Sequence, residues 1–157
     1  MGDSMSNTAS GAIACPITGL KKILLATDGS TYSEKALREA VNLAKICGTK
    51  LYVVSIIEVN PEYATMAPNV VEKLEKDTGE LIDAVKDCVQ REGIDAEMIT
   101  HEGEEAWRFI VDEAKARNVD MIVMGTHGRS GLTRLLMGSV TQKVIGHAPC
   151  KVLVVPA

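Results

Sequence analysis

The sequence predicts a single α/β domain built on a parallel sheet. Short, wholly apolar runs alternate with longer segments in which apolar residues recur at helical spacing. The runs show no polar alternation, which is typical of strands that helices bury on both faces. The chain has 157 residues, an ordinary length for one domain, and aromatic residues make up only 3% of it, so aliphatic side chains must fill the core. Together these features indicate a doubly wound, Rossmann-like fold.

The first elements follow a leader. Residues 1–20 are rich in small and polar residues and have no apolar period, so we expect a flexible leader followed by one domain over residues 21–157. The apolar run 23–26 is predicted to be a buried strand, because an Asp-Gly-Ser turn stops it. Ser30 can cap the helix that follows, and Gly48 lies where a C-terminal cap belongs.

The middle of the chain continues the alternation. Residues 51–57 are mostly β-branched and predict a second strand. Residues 58–68 contain two prolines and no regular period, so we expect an irregular loop that acts as a lid. Apolar residues at helical spacing then predict a long helix that begins near Val71 and ends near Gly93, and residues 96–100 predict a weaker third strand.

The last third of the chain completes the sheet. A helix is expected over residues 104–117, followed by an apolar fourth strand at 121–124. A glycine-rich loop leads into a helix over residues 138–145, and residues 152–155 predict a fifth strand. Strands that alternate with helices in this way imply parallel pairing with helical crossovers.

Charge and hydropathy narrow the classes of function. The formal net charge is −4, which argues against coating nucleic acid or an anionic membrane surface. No apolar run reaches the roughly 18–20 residues that a bilayer span requires, and the start of the chain lacks the pattern of a signal peptide, so we expect a cytoplasmic protein. The four cysteines have no zinc or redox spacing and are interpreted as small apolar residues rather than a disulfide framework.

Unusual turns follow two strands that should be neighbours. In open parallel sheets, ligands bind beyond the carboxyl ends of the strands, where the strand order reverses, and strands one and four should flank that point. The run GTHGRSG, from Gly125 to Gly131, follows strand four. The glycines Gly125, Gly128 and Gly131 allow positive φ and close backbone approach, so we expect successive amides to form an anion-binding hollow. The helix start at Gly138 offers free amides for a second anion.

The charge pattern agrees with an anion site. No Asp or Glu occurs between Gly125 and Lys151, whereas Arg129, Arg134 and Lys143 lie in this segment of an otherwise acidic chain. The P-loop motif and the dinucleotide GxGxxG motif are both absent. The segment therefore predicts a phosphate site of another type.

The spacing of these glycines resembles a known signature. Gly125 and Gly128, then nine residues, then Gly138 and Ser139 are similar to the G-2x-G-9x-G-[ST] pattern of ATP-binding universal stress proteins. The opening KKILLATDGS and the closing APCKVLVVP also resemble that family, so the likeness extends from Lys21 to the end of the chain. The resemblance implies a five-stranded sheet of order 3-2-1-4-5, the adenine nucleotide alpha hydrolase-like fold.

The resemblance also implies a nucleotide site and its residues. The turn after strand one would contact adenine and ribose, the backbone at Ile56 would meet the adenine edge, and the glycine-rich loop would hold the phosphates. Ser139 and Thr141 would close the far side with amide and hydroxyl donors, although the Ile56 side chain is also expected in the core. The implied site residues are Ala26, Thr27, Asp28, Ile56, Met124, Gly125, Thr126, His127, Gly128, Arg129, Ser130, Gly131, Gly138, Ser139, Val140 and Thr141.

Two functions remain open from the sequence. The first is a nucleotide-responsive stress-response module that binds ATP, ADP or AMP, with Mg²⁺ held through the phosphates near Asp28. The second is an enzyme, a slow ATP hydrolase or a protein that transfers a phosphoryl or adenylyl group, although no base with a positioned partner can be named near His127. The family resemblance further implies a homodimer through the edge strand 151–155, whereas the downstream partner is unknown.

Overall fold

The computed structural model describes residues 19–129 and 137–156. Within these ranges five strands and five helices follow one another along the chain. The strands are β1 (Lys22–Ala26), β2 (Lys50–Glu58), β3 (Ala96–Gly103), β4 (Met121–Gly125) and β5 (Lys151–Val155). The helices are α1 (Thr31–Cys47), α2 (Pro61–Met66), α3 (Pro68–Arg91), α4 (Ala106–Arg117) and α5 (Ser139–His147).

The five strands form one parallel sheet in the order β3-β2-β1-β4-β5. Leu25 of β1 pairs with Val53 of β2 on one side and with Val123 of β4 on the other, and all three side chains are fully buried. The predicted fold class and strand order are therefore confirmed. Because β1 and β4 lie side by side while their connections run to opposite edges, the strand order reverses between them.

Each face of the sheet carries its own core. On one face, helices α1 and α3 cover Leu25 and Val53. On the other face, α4 and α5 cover Leu24 and Val54. Successive residues of a strand point to opposite faces, so neighbouring positions at the end of each strand reach different sides of the sheet. This alternation determines which side chains meet above the sheet.

The ends of α1 lie where the sequence predicts them. The side chain of Ser30 accepts a hydrogen bond from the amide of Ser33, and Gly48 has φ of 64°, the left-handed conformation that ends a helix. The residues of α1 buried against the sheet are small, chiefly Ala36, Ala40 and Ala44. Small residues let the helix approach the sheet closely, which becomes important at Gly125.

The prediction of an irregular loop at residues 58–68 is wrong. The segment contains helix α2, and α3 begins at Pro68 rather than near Val71. The side chain of Asn60 accepts hydrogen bonds from the amides of Glu62 and Tyr63, and Pro61 occupies the first helical turn. Asparagine followed by proline is a helix-start signal that outweighs the missing apolar period in so short a helix.

Two details at the margins of the domain differ from the sequence predictions. Leu20, placed by the sequence in the leader, is 5% exposed and packs in the core under α1. Cys88 and Cys150 are free thiols, whereas Cys47 is disulfide-bonded, contrary to the expectation that no cysteine is paired. The other leader residues, 1–18, lie outside the described residues.

None of the described helices combines the length and apolar character that crossing a membrane requires.

The two edge strands differ in character. β5 is an edge strand, and residues 152–155 are half-buried and apolar. The homodimer through this strand stays a prediction. β3 forms the opposite edge and carries a charged network instead, in which Arg117 bonds both Glu97 and Glu113, and Glu113 also bonds His101.

Replacing Glu113 with glutamine is expected to reduce stability at neutral pH by up to about 1 kcal/mol, the usual upper value for such pairs. Burial would raise the pKa of Glu113, but hydrogen bonds from Arg117 and His101 outweigh it and lower the pKa below the ordinary value of 4.5. Because the pKa of Glu113 is lower in the folded state than in the unfolded state, the carboxylate stabilises the folded protein at pH values above the unfolded pKa. This contribution disappears as the pH falls through the folded pKa.

Urea titrations at pH 7 and at successively lower pH, down to about 3, measure this effect. The difference in unfolding free energy between the wild type and Glu113→Gln should shrink below pH 4.5. Glu102→Gln is the matched control, because Glu102 is an exposed residue of β3, the strand that carries His101 and Glu97. A difference that persists unchanged in acid would contradict the proposed network.

Candidate functional site

A cavity of about 630 Å³ opens at the carboxyl ends of β1, β2 and β4. The first turn of α5 and the helices α3 and α4 complete its walls. This is the edge where the strand order reverses, the usual ligand position in open parallel sheets. The volume lies within the range of roughly 300–1,000 Å³ typical of small-molecule sites.

Most of the predicted site residues meet in this cavity. The loop after β1 and the loop after β4 lie beside the start of α5, although they are far apart in sequence. The predicted residues that line the cavity are Ala26, Thr27, Asp28, Ile56, Met124, Gly125, His127, Gly128, Arg129, Gly138, Ser139, Val140 and Thr141.

One predicted residue in the described part of the chain, Thr126, does not line the cavity. The amide of Thr126 donates to Val155 O at 3.1 Å, and the carbonyl oxygen of Thr126 accepts from Gly138 N at 2.8 Å. Thr126 thus attaches the loop to β5 and α5 and is not among the lining residues. Ser130 and Gly131 lie outside the described residues.

The glycines of the loop allow close approach without positive φ. Neither Gly125 nor Gly128 has φ in the left-handed region, so of the two properties expected of these glycines the structure uses the close approach and not the positive φ. A Cβ at Gly125 would lie 2.9 Å from the backbone of Tyr32, and one at Gly128 would lie 2.7 Å from Asp28 Oδ2. At Gly138 a Cβ would lie 3.2 Å from Thr126 O. At Gly125 the backbone of Tyr32 leaves no room for a side chain, whereas at Gly128 the Asp28 carboxylate would have to move and at Gly138 the contact would be tight.

Asp28 joins the loops that follow β1 and β4. Its Oδ1 accepts a hydrogen bond from Ser30 N at 3.0 Å, and its Oδ2 accepts one from Arg129 N at 2.8 Å. Arg129 Nε also donates to the carbonyl oxygen of Asp28. The Arg129 guanidinium is therefore held at the cavity, where it favours an anion.

The first turn of α5 faces the cavity without a side-chain cap. Gly138 is the N-cap, and within residues 19–129 and 137–156 no side-chain cap bonds the amides of the first turn. Such amides, together with the helix dipole, favour a negatively charged group. The predicted hydroxyl donor Thr141 has another role, because its Oγ1 donates to Gly125 O at 2.9 Å and so attaches α5 to the end of β4.

The rest of the cavity has two walls of different chemistry. On the α4/α5 side the lining is apolar and includes Ala26, Ile56 and Val140. On the α1/α3 side it carries hydroxyl groups. Thr49 excepted, every buried polar side chain among the described residues lines the cavity. These side chains are Thr27, Ser33, Ser55, Thr78 and Thr141.

The hydroxyl wall contains residues that the sequence reasoning missed. Ser55 interrupts the apolar run of β2, and Thr78 falls on the apolar stripe of α3, one turn after Leu74. A polar residue at an inward position was the available signal for both. Other missed lining residues gave no such signal: Ile57, Glu58, Leu74, Ala106, Ile110, Met137 and Gln142.

The fold and cavity define a class of protein: a small doubly wound α/β domain with an anion-favouring site at the switch point of its sheet. Comparison with known proteins agrees with this class. The universal stress protein family matches residues 19–156, and the chain belongs to this family. It is 37% identical over 139 residues to the universal stress protein MJ0531 of Methanocaldococcus jannaschii, covering 86% of this chain and 81% of that protein.

Solved structures give the same result. The hypothetical protein MJ0577 superposes with a TM-score of 0.80 at 28% identity, covering 88% of this chain and 96% of the other. A universal stress protein of Archaeoglobus fulgidus, solved in complex with dAMP, superposes with a TM-score of 0.61 at 23% identity, covering 86% and 97%. Because the sequence identity to the Archaeoglobus fulgidus protein is only 23%, this superposition shows that the two proteins share a fold.

Proposed function

We propose that this chain binds an adenine nucleotide, ATP foremost, and acts as a nucleotide-responsive module of the stress response. The observation that carries the proposal is the junction of Gly128, Gly138 and the uncapped first turn of α5 at one end of the cavity. Backbone amides and a guanidinium converge there, where an added Cβ would meet neighbouring atoms. Such a surface suits phosphate, which binds backbone amides at close range.

The remainder of the cavity suits a nucleoside. Its apolar wall, with Ala26, Ile56 and Val140, offers a surface against which a flat base can pack. Another protein of this fold holds dAMP, so adenine nucleotides are the first ligands to test. The signature that begins at Gly125 supports a triphosphate rather than a monophosphate, since it supplies two separate anion positions.

Asp28 fits a supporting role toward Mg²⁺. Magnesium is usually held by substrate phosphates and one or two carboxylates. A carboxylate has about four acceptor positions, and backbone amides occupy two of those on Asp28. The described residues contain no cluster of three or more His, Cys, Asp or Glu that would bind a metal without the nucleotide. We therefore propose that any Mg²⁺ enters with the phosphates.

Mg-ATP is expected to raise the thermal unfolding midpoint. A ligand at 100 times its dissociation constant stabilises the folded state by about 2.7 kcal/mol, and a domain of this size gains about 2–4 °C per kcal/mol. The expected shift is therefore roughly 5–10 °C. Scanning calorimetry with ATP, ADP, AMP and GTP measures it, and GTP serves as the base control.

Two further readouts accompany the thermal shift. Trp107 is the chain's single tryptophan and adjoins Ala106 at the cavity, so its fluorescence should change on binding. Chromatography of the same mixtures detects ADP and thereby distinguishes a binding module from a slow hydrolase. No stabilisation by any adenine nucleotide at millimolar concentration would refute the proposal.

A further inference from the structure

A second concave surface lies next to the cavity, between the end of β2 and the helices α2 and α3. We call it the α2 groove. It has a volume of about 440 Å³, and its lining includes Glu58, Val59, Glu62, Tyr63, Met66 and Leu74. Val59 is only 6% exposed, whereas Tyr63 and Met66 are 54% and 85% exposed. Met66 has the most exposed large apolar side chain among the described residues.

The exposed apolar side chains of the groove are typical of an interaction surface. Helix α2 buries none of its residues, so Tyr63 and Met66 have no place in the core. A single exposed apolar residue is common, but two large ones around a concave apolar surface indicate a site that another molecule covers. Methionine is frequent on such surfaces because its unbranched thioether side chain adapts its shape to the partner. The groove therefore suits an apolar side chain of a partner.

The rim of the α2 groove is acidic. Glu58 and Glu62 line the groove, and the carboxylate of Glu104 lies beside it, where it accepts a hydrogen bond from Asn60 Nδ2. Residues 51–72 and 92–107, the two segments to which these groups belong, contain no Lys or Arg. Charges of one sign around an apolar contact surface favour a partner of the opposite sign.

This charge distribution decides between the candidate occupants. A second copy of the chain that docked groove against groove would bring the same glutamates together, because both copies present the same residues. The leader, residues 1–18, contains no Lys or Arg that could face them. A segment of another protein that carries a large apolar side chain beside Lys or Arg matches both the apolar and the acidic parts of the groove.

We propose that the α2 groove is a docking site for a basic amphipathic segment of another protein, and that nucleotide in the cavity strengthens this docking. The second part rests on the proposed function. Glu58 and Leu74 line both the cavity and the groove, so a ligand in the cavity would restrict two side chains of the groove. A surface that is already ordered loses less freedom when a partner docks, and affinity should rise.

Fluorescence anisotropy with a labelled synthetic peptide tests the docking site on the full-length chain. The probe is an amphipathic helix of about 14 residues, roughly four turns, with leucine on one face and lysine on the other. Tyr63→Ala and Met66→Ala should each weaken its binding at least about fivefold, the effect of removing an apolar anchor from an interface. Both variants should bind Mg-ATP as the wild type does, since neither residue lines the cavity.

Matched variants and peptides control for unspecific attraction. Ile46→Ala should leave peptide affinity unchanged, because Ile46 is 67% exposed but does not line the groove. Glu62→Gln should weaken binding about twofold to fivefold, and Glu75→Gln, which removes an exposed charge of α3 outside the groove, should weaken it less. Peptides with serine in place of leucine, or glutamate in place of lysine, should bind at least about tenfold more weakly.

Three outcomes would overturn the docking site. The first is equal peptide affinity in the wild type, Tyr63→Ala and Met66→Ala, or an equal loss in Ile46→Ala. The second is self-association of the wild type in sedimentation experiments that Met66→Ala abolishes, which would assign the groove to a second copy. The third is tighter peptide binding after Ile13 and Ile17 are both replaced with serine, which would assign it to the leader.

Peptide titrations with and without Mg-ATP separate this inference from the proposed function. Saturating Mg-ATP should tighten peptide binding to the wild type at least about fivefold, the lower end of usual coupling between two sites. Unchanged peptide affinity in a wild type that binds ATP overturns the coupling and leaves nucleotide binding standing. A wild type that binds no adenine nucleotide refutes the proposed function, whereas the titrations without nucleotide still decide whether the groove is a docking site.

Discussion

Replacing Gly138 with valine is expected to weaken ATP binding at least about 100-fold, the loss of two hydrogen bonds to a charged group. Gly138 has φ of −59° and ψ of 148°, which valine adopts without strain. Its side chain, however, would begin 3.2 Å from Thr126 O and 3.3 Å from the Cα of His127, at the entrance to the α5 amides. The phosphate could no longer approach these amides, although the fold would remain.

Isothermal titration calorimetry of Gly138→Val with Mg-ATP measures this loss. Gly146→Val is the control, since Gly146 lies in the same helix and a Cβ there meets nothing within 4 Å. Circular dichroism should show a folded protein in both variants. ATP affinity within a few-fold of the wild type in Gly138→Val would exclude α5 as the phosphate-binding element.

The strands and their order could be predicted because the sheet is buried on both faces. Residues 23–26 and 121–124 are apolar without interruption, a pattern that few other structures require. Helix α2 could not be predicted in the same way, because its six residues have no buried side chain and thus no apolar period. Its start signal, Asn60 followed by Pro61, was present in the sequence but carries no information about length.

The backbone segments that form the site could be predicted from the sequence, whereas most of the side chains that face them across the cavity could not. The spacing of Gly128 and Gly138 identified the backbone segments that approach a ligand. A position where the backbone must come close to another group is occupied by glycine, and glycine can be recognised in the sequence directly. The hydroxyl groups come together only because particular residues of β2 and α3 lie close to each other in the folded protein. No local sequence pattern predicts which residues of the two elements are in contact. Ser55 and Thr78 are recognised as cavity residues once their burial and their position in the fold are known.

Replacing Gly125 with alanine is expected to destabilise the protein by about 1–3 kcal/mol or more, the cost of overpacking a closed interior. The added methyl group would lie 2.8 Å from Tyr32 Cβ and 2.9 Å from the Tyr32 carbonyl carbon in the first turn of α1. Gly125 is buried at the end of β4, and its carbonyl oxygen is bonded by Thr141. To make room, α1 must move away from the sheet or β4 must lose its position beside α5.

Thermal unfolding without ligand measures the effect, and the midpoint should fall by roughly 2–12 °C. Gly79→Ala should shift it in the opposite direction, because Gly79 is an exposed interior residue of α3 with no atom near a Cβ. There alanine gains about 1 kcal/mol in helix propensity. The two substitutions add the same methyl group, so opposite signs would assign the destabilisation at Gly125 to its contact with Tyr32. Equal midpoints for Gly125→Ala and the wild type would mean that α1 and β4 are not packed as closely as described.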